Sequence, residues 1–357
     1  MTTNGFYGIP SVQRAAVLTE EYGKPHTYYI DYPVPQPGAG QVLIKLQASG
    51  ICSGDLNTRE GYPPAPKEPQ RPLVTGHEGV GIIMAVGDEV TAFKPGDRVG
   101  MGWRSEVCRC CDDCNQGRDN LCQKQKINGY ESDGAFQEYV ALSPASLISI
   151  PSSTAVPSTR IAPLLCAGGT ALAGLRTTEV TTPGKWICVT GAGGGVGSLA
   201  CRYALHMGLK VIAVDSAQKT SVCKAMGVHA FVDYENADTV VSRIQEVTGG
   251  TGAHGVVVCS ANPASYSQAV EYAAVGGRIV SIGPSMVHLH TGHLMVKGLA
   301  LIAQCNGTTK DIQDAVTLGI ENGILPEVEL VLFNDIDKAL DKLKEGTTLG
   351  RQVVDWS

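Results

Sequence analysis

The chain has 357 residues, of which 43% are hydrophobic and 17% are charged, a balance typical of a globular protein long enough for two domains. It carries 28 Lys and Arg against 34 Asp and Glu, a net charge of −6 that argues against nucleic acid or anionic membranes as the main partner. No apolar run approaches the roughly 18 residues of a spanning helix, and the first residues lack the pattern of a secretory signal. We therefore expect a cytoplasmic enzyme.

The first 150 residues alternate short strands with glycine and proline, which predicts a β-rich domain with few helices. The strands predicted there are Val42–Ala48, Val80–Val86, Arg98–Met101, Gln137–Ala141 and Leu147–Ile150.

From Ser158 onward helices and strands alternate, which indicates βαβ units and a parallel sheet, so the fold class is α/β. The elements predicted there are, in order, helix Ile161–Thr177, strand Lys185–Thr190, helix Val196–Met207, strand Lys210–Asp215, helix Lys219–Met226, strand Ala230–Asp233, helix Ala237–Thr248, strand Gly255–Cys259, helix Pro263–Ala274, and strands Gly277–Ile282 and Leu299–Ala303. A helix after Thr308, a helix Ile336–Glu345 and a strand Gln352–Asp355 follow. We predict one domain of residues 1–160 with 308–357 and a second of residues 161–307.

Twelve cysteines occur in the chain, and four of them follow the spacing C-x2-C-x2-C-x7-C within residues 107–122. These are Cys108, Cys111, Cys114 and Cys122. Four thiolates at such short gaps suit a tetrahedral zinc with no open position, and the polar residues around them suit a loop held by metal. The spacing therefore predicts a structural zinc.

A glycine-rich turn follows the predicted strand at residues 185–190 and precedes a helix. Its residues include Gly193, Gly194, Gly195, Val196 and Gly197, and a reading through Gly191, Gly194 and Gly197 suits the turn better than the literal fingerprint that starts at Gly195. Backbone N–H groups at a helix N-terminus bind a pyrophosphate. Asp215, 18 residues beyond Gly197, is placed to bind the adenosine ribose and favours NAD over NADP; Lys219 is a further candidate contact to that ribose.

Cys52, His77 and Cys166 each have an ordinary structural explanation when taken alone. Together, two thiolates and an imidazole provide the three ligands of a zinc site with an open fourth position, which is the arrangement of catalytic zinc. Asp55 has the chemistry to hold the His77 ring through its second N–H, and Glu78 is an alternating or outer ligand.

These motifs resemble the zinc-dependent alcohol dehydrogenases of the medium-chain dehydrogenase/reductase superfamily, and they are most similar to its microbial, tetramer-forming branch. The resemblance covers nearly the whole chain and is carried by Gly76–Gly79, the four-cysteine loop, Ala162–Thr170, the glycine turn, and residues 252–256 and 349–355. It implies a GroES-like catalytic domain, a Rossmann NAD-binding domain with a doubly wound parallel sheet, and a homotetramer.

The resemblance also implies roles for single residues. Cys52, His77 and Cys166 match the catalytic zinc ligands with Glu78 beside them, and the four-cysteine loop matches the structural zinc site. Thr170 and Val196 match positions near the nicotinamide. Arg351 matches a position that approaches the pyrophosphate and Glu78. Trp103 and Tyr62 match the bulky walls of the substrate pocket. For these two aromatics, an ordinary place in the core is an equal alternative.

The chain departs from the family where relatives carry a hydroxyl and a histidine that relay the proton, because those positions are Gly54 and Asn57. Positioned acid–base groups contribute about 10²–10⁴-fold in rate. One hypothesis is that the enzyme still interconverts an alcohol and a carbonyl with NAD(H), using water or Ser53 for the proton and a pocket enlarged at Gly54. A second is a reductase of a conjugated C=C or C=N bond, and a third is a binding protein without activity. The intact zinc ligands favour the first hypothesis.

Overall fold

The computed structural model describes residues 8–19, 21–61, 68–69 and 71–357. These residues fall into two compact units, one running to Cys166 and resuming at Thr308–Ser357, the other comprising Ala167–Gly307. No helix in the described part of the chain is long and apolar enough to cross a membrane.

The secondary structure follows the chain in three stretches. The first contains β1 Val12–Leu18, β2 Thr27–Pro33, β3 Val42–Ile51, α1 Ser53–Glu60, β4 Leu73–Val74, β5 Gly79–Val86, β6 Arg98–Met101, β7 Arg104–Glu106, α2 Asp112–Asn115, β8 Lys126–Ile127, β9 Tyr139–Leu142, β10 Ile148–Ser149 and α3 Ser158–Ile161. The second contains α4 Ala167–Thr177, β11 Trp186–Thr190, α5 Gly195–His206, β12 Lys210–Asp215, α6 Thr220–Ala225, β13 Ala230–Asp233, α7 Ala237–Val247, β14 Ala253–Val258, α8 Pro263–Tyr272, β15 Ala273–Ser281, α9 Thr291–Lys297 and β16 Ala300–Ala303. The last contains α10 Thr309–Asn322, β17 Val328–Val331, α11 Ile336–Lys344 and β18 Arg351–Asp355.

The first unit is built on a sheet in the order β10-β6-β5-β3-β18-β17, with β9 also paired to β3, beside a smaller sheet β2-β1-β4. Apolar residues of these strands form a core with Phe136, Phe333 and Trp356. The last strand, β18, lies inside the sheet, because it pairs antiparallel with β3 and parallel with β17.

The second unit is a six-stranded sheet in the order β13-β12-β11-β14-β15-β16, in which every described pair is parallel. Its apolar core includes Val256, Val258, Tyr266 and Tyr272. The strand order reverses beside β11, and ligands of open α/β sheets bind at such a reversal, beyond the carboxyl ends of the strands.

The predicted continuous helix over residues 161–177 is wrong in its first part. α3 ends at Ile161, a 3₁₀ turn covers Ala162–Leu165, and Cys166 has non-helical torsions of φ −124° and ψ −68° before α4 begins. Pro163 has no N–H to donate to an α-helical ladder, which explains the break. Cys166 consequently stands outside both helices.

Candidate active site

The register of the central sheet brings three distant segments to one edge. β3 ends at Ile51, directly before Cys52, while β5 begins directly after Glu78 and pairs Gly79 with Ser49. β18 pairs Gln352 with Ile51, which places Arg351 beside Cys52. The sheet therefore gathers thiol, imidazole, carboxyl and guanidinium groups from three segments that are far apart in sequence.

Four potential ligands converge at this edge: Cys52, His77, Glu78 and Cys166 offer one atom each, all within 4.8 Å of one another. The Sγ atoms of the two cysteines are 3.9 Å apart. His77 is 1% exposed and Glu78 0%, yet His77 Nε2 and Glu78 Oε2 have no hydrogen-bond partner in the described part of the chain. Buried polar atoms are normally paired, so unpaired atoms facing two thiols fit a metal ion. The donor set of two sulfurs, one nitrogen and one oxygen suits zinc.

Asp55 fixes the imidazole. Its Oδ1 lies 2.7 Å from His77 Nδ1, and its Oδ2 accepts a hydrogen bond of 2.9 Å from the Cys52 amide. Helix α1, which was not predicted, provides this carboxylate, because it begins directly after Cys52. With Nδ1–H held by Asp55, Nε2 is the ring nitrogen left available to a metal ion. Burial by itself would lower the pKa of His77, but the charge of Asp55 and its hydrogen bond raise it well above the usual value.

Electrostatic coupling is strong around the two thiols. The hydrogen bond from Cys166 lowers the pKa of Cys52 well below its usual value, while the same bond and burial raise that of Cys166. Thiolates are the metal-binding form, and a bound cation favours deprotonation of both.

Glu78 forms a buried ion pair with Arg351. Burial raises the pKa of Glu78 to about 8, although the Arg351 guanidinium opposes this effect. Gly50 makes room for the carboxyl group, because a Cβ on Gly50 would overlap the Glu78 side chain and would lie 3.0 Å from the Glu78 Cβ. Gly50 was missed from the sequence, because the predicted strand ended at Ala48 and left this glycine outside it, whereas β3 runs to Ile51.

Gly54 does not border an open space. A Cβ on Gly54 would lie 2.8 Å from His77 Cε1 and 3.1 Å from Trp103 Cζ3. The Trp103 and His77 rings meet edge to face, with centroids 4.8 Å apart. The expected enlargement of the pocket at Gly54 is therefore wrong: the volume a side chain would use is filled by the imidazole and the indole. Ser53 and Asn57 are exposed.

The four-cysteine loop forms a second group, in which the Sγ atoms of Cys108, Cys111, Cys114 and Cys122 all lie within 4.8 Å of one another. α2 begins after Cys111 and carries Cys114, and a short 3₁₀ turn leads to Cys122. Backbone amides of residues 110 and 111 lower the pKa of Cys108 to about 6, which stabilises its thiolate. This all-sulfur set fits zinc as well, whereas the remaining cysteine of the loop, Cys110, is exposed.

In the second unit the glycine turn joins β11 to α5. Gly191 has φ +65°, Gly194 precedes the first turn of α5, and a Cβ on Gly197 would lie 2.8 Å from Ala192 Cα. These three positions match the spaced reading of the motif. Asp215, at the end of β12, accepts hydrogen bonds from Gly193 N at 2.7 Å and Ser216 N at 2.8 Å, so the acidic residue and the turn are adjacent.

The remaining predicted residues occupy varied positions. Thr170, on α4, is 7% exposed and its Oγ1 donates to Asn306 Oδ1 at 3.3 Å. Val196 lies in the first turn of α5, next to Gly193, Gly194, Gly195 and Gly197. The Lys219 side chain packs against the turn, since a Cβ on Gly193 would lie 2.8 Å from its Cδ. Tyr62 lies outside the described residues.

Known families match both units. A family model described as "Alcohol dehydrogenase GroES-like domain" matches residues 38–152, and one described as "Zinc-binding dehydrogenase" matches residues 195–321. The chain is 36% identical to alcohol dehydrogenase 1 of Emericella nidulans, over 97% of this chain and 99% of the relative. It is 34% identical to an alcohol dehydrogenase of Schizosaccharomyces pombe, over 98% and 99% of the two chains.

A solved structure of an NAD-dependent alcohol dehydrogenase superposes with a TM-score of 0.87 at 28% identity, covering 96% of this chain and 100% of that one. The predicted fold class and the prediction of an enzyme are thereby confirmed. The chain belongs to the zinc-type alcohol dehydrogenases of the medium-chain dehydrogenase/reductase superfamily and is an oxidoreductase of alcohols and carbonyl compounds.

Proposed function

We propose that the protein interconverts an alcohol and an aldehyde or ketone by hydride transfer with NAD(H), at a zinc centre formed by Cys52, His77 and Cys166. One observation carries this proposal: two thiols converge with His77 Nε2 and Glu78 Oε2, and neither of these two atoms has a hydrogen-bond partner among the described residues. Zinc bound there supplies a Lewis acid that polarises the C–O bond of the substrate.

The chain's own residues set the conditions for this chemistry. Asp55 keeps the His77 ring in one orientation and one tautomer. Two thiolates balance the charge of the ion, and Arg351 compensates Glu78, so that the carboxylate is available as an alternating ligand.

The second unit holds the dinucleotide in this proposal, and the nicotinamide supplies the hydride acceptor or donor. The glycine turn that contains Gly193, Gly194 and Gly195 binds the pyrophosphate at the N-terminus of α5. Val196 and Thr170 lie near the nicotinamide, and Asp215, with Lys219 beside it, binds the adenosine ribose and repels a 2′-phosphate. Preference for NAD over NADP follows, in keeping with the NAD-dependent relative described above.

A second zinc in the four-cysteine loop has a structural role, because its all-sulfur set leaves no position for a substrate. From the resemblance alone we further propose a homotetramer, which equilibrium sedimentation tests. From the composition and the sequence pattern we propose a cytoplasmic location, which fluorescent tagging tests.

The proton route is specific to this chain. Gly54 has no side chain and Asn57 does not titrate, so the hydroxyl proton of the alcohol leaves through water or through the exposed Ser53. Trp103 is the bulky wall beside His77.

Metal analysis and product identification test the proposal together. The wild-type chain is expected to hold two zinc ions, and Cys166→Ala one ion with at least a hundredfold loss of activity, since a missing ligand removes the Lewis acid. With NADH and a panel of enals, the expected product is the allylic alcohol. A saturated aldehyde would instead identify a C=C reductase, and a Cys166→Ala chain that still binds two ions would refute the ligand assignment.

A further inference from the structure

Asp337, in the first turn of α11, collects hydrogen bonds from two separate segments of the first unit. Its carboxylate accepts from the His26 amide at 2.9 Å and the Tyr28 hydroxyl at 2.8 Å, and lies 2.8 Å from His26 Nδ1. Arg59 Nη1 donates to the same carboxylate at 3.2 Å. So many donors on one half-buried side chain indicate a fixed junction rather than a solvated surface group.

One arm of this junction leads to Cys52. Arg59 lies in the last turn of α1, the helix that starts directly after Cys52 and carries Asp55. It is 5% exposed, and it contacts Asp341 at 2.6 Å as well as Asp337. Since α1 packs against α11, these contacts hold the far end of the helix.

The other arm leads to His77. The second ring nitrogen of His26, Nε2, lies 2.7 Å from Thr75 Oγ1, and Thr75 is two residues before His77. The backbone of Thr75 also accepts a hydrogen bond of 2.8 Å from the Phe136 amide. The two arms therefore end on the same two segments that meet again where Asp55 contacts His77.

The line from Thr75 through His26 to Asp337 has the order of a hydroxyl–imidazole–carboxylate triad, but it cannot act as a nucleophile. Thr75 is 0% exposed and His26 is 5% exposed, so no substrate reaches the hydroxyl. Burial alone would raise the pKa of Asp337, but the hydrogen bond and charge of His26, with the Tyr28 hydroxyl, lower it to about 2. An ionised carboxylate is a strong acceptor for all of these donors at neutral pH.

We propose that Asp337 is a positioning residue of the catalytic metal centre, acting through Arg59 on the segment of Cys52 and Asp55 and through His26 and Thr75 on the segment of His77. The inference rests on the proposed zinc centre. It differs from a purely structural role in one respect: loss of the junction loosens one metal site and leaves the other unchanged.

The four-cysteine loop gives the experiment an internal reference, because the same chain carries a second metal site that the junction does not touch. The holoenzymes of wild type, Asp337→Asn and Thr75→Val are challenged with a colorimetric zinc chelator, and the release of each ion is followed over time. The Cys166→Ala chain identifies the release phase of the loop zinc. Asp341→Asn is the matched control, because Asp341 contacts Arg59 but is more than half exposed and does not contact His26.

In both test variants the catalytic zinc is expected to leave about tenfold faster than in wild type, while the release rate of the loop zinc is unchanged. Tenfold is about the lower end of the effect that is seen when a residue supporting a metal ligand is replaced. Asp341→Asn removes only the exposed contact of Arg59 and leaves the His26 arm intact, so it is expected to accelerate release of the catalytic zinc less than Asp337→Asn does. Equal acceleration of both ions, or of neither, in Asp337→Asn and Thr75→Val would overturn the inference. Should Asp337→Asn fail to fold, Thr75→Val alone decides. A wild-type chain that binds only the loop zinc would overturn the proposed function itself, whereas two ions in wild type with unaltered release in the variants would overturn this inference alone.

Discussion

Replacing Gly54 by alanine tests the tight packing around His77. Gly54 lies in the first turn of α1 with no unusual torsion, and at an ordinary helical site the substitution stabilises by up to about 1 kcal/mol. Here the new methyl group would lie 2.8 Å from His77 Cε1 and 3.1 Å from Trp103 Cζ3, which is closer than carbon atoms approach without repulsion. His77 cannot easily yield, because Asp55 holds its other edge at 2.7 Å.

Overpacking of a filled site costs about 1–3 kcal/mol, which exceeds the gain in helix propensity. We therefore expect Gly54→Ala to lower the unfolding free energy of the zinc-loaded protein by about 1–2 kcal/mol, measured by urea titration. In a Trp103→Leu background the loss caused by Gly54→Ala should be smaller but not abolished, since the contact with the indole is relieved while the closer contact with His77 Cε1 remains. An alanine variant more stable than wild type would refute the reasoning, and so would equal losses in both backgrounds.

Two further substitutions probe charge. Asp215→Ala should narrow the preference for NADH over NADPH by at least tenfold in kcat/KM, because the carboxylate that repels a 2′-phosphate is gone; an unchanged ratio would contradict its role. The pKa of Asp337 is about 2 in the folded protein, against an ordinary value of 3.8. Its ionised carboxylate therefore stabilises the fold by about 2 kcal/mol above about pH 4, and this contribution disappears as the pH falls toward 2. Between pH 5 and pH 2 wild type should lose about 2 kcal/mol more unfolding free energy than Asp337→Asn, and parallel pH profiles of the two proteins would count against the assignment.

Local sequence patterns were sufficient for the parts of the molecule that depend on neighbours in the chain. The alternation of strands and helices from β11 to β16 is one example, and the glycine turn with Asp215 at the next strand end is another. The four-cysteine spacing is similarly local, because short gaps bring thiols together whatever the rest of the fold does.

Features set by packing between distant residues were not accessible in this way. The indole that fills the space beside Gly54 and the Asp337 junction each depend on elements far apart in sequence. The break that leaves Cys166 outside both helices is different, because it follows from Pro163 itself, a local signal that the predicted helix overlooked. His26 in particular lies in no recognisable motif, and it gains a role only because Asp337 of α11 contacts the segment that contains His26 and Tyr28.

The inside position of β18 has a consequence for how the protein is made. As the nascent chain leaves the ribosome, residues 167–307 emerge before Arg351 and the strand that inserts between β3 and β17. The second unit can thus mature early, while the first waits for β18, as in other chains whose units fold in order of synthesis. The guanidinium of Arg351 is made after the whole second unit, so the buried partner of Glu78 joins the site only after that unit has been synthesised.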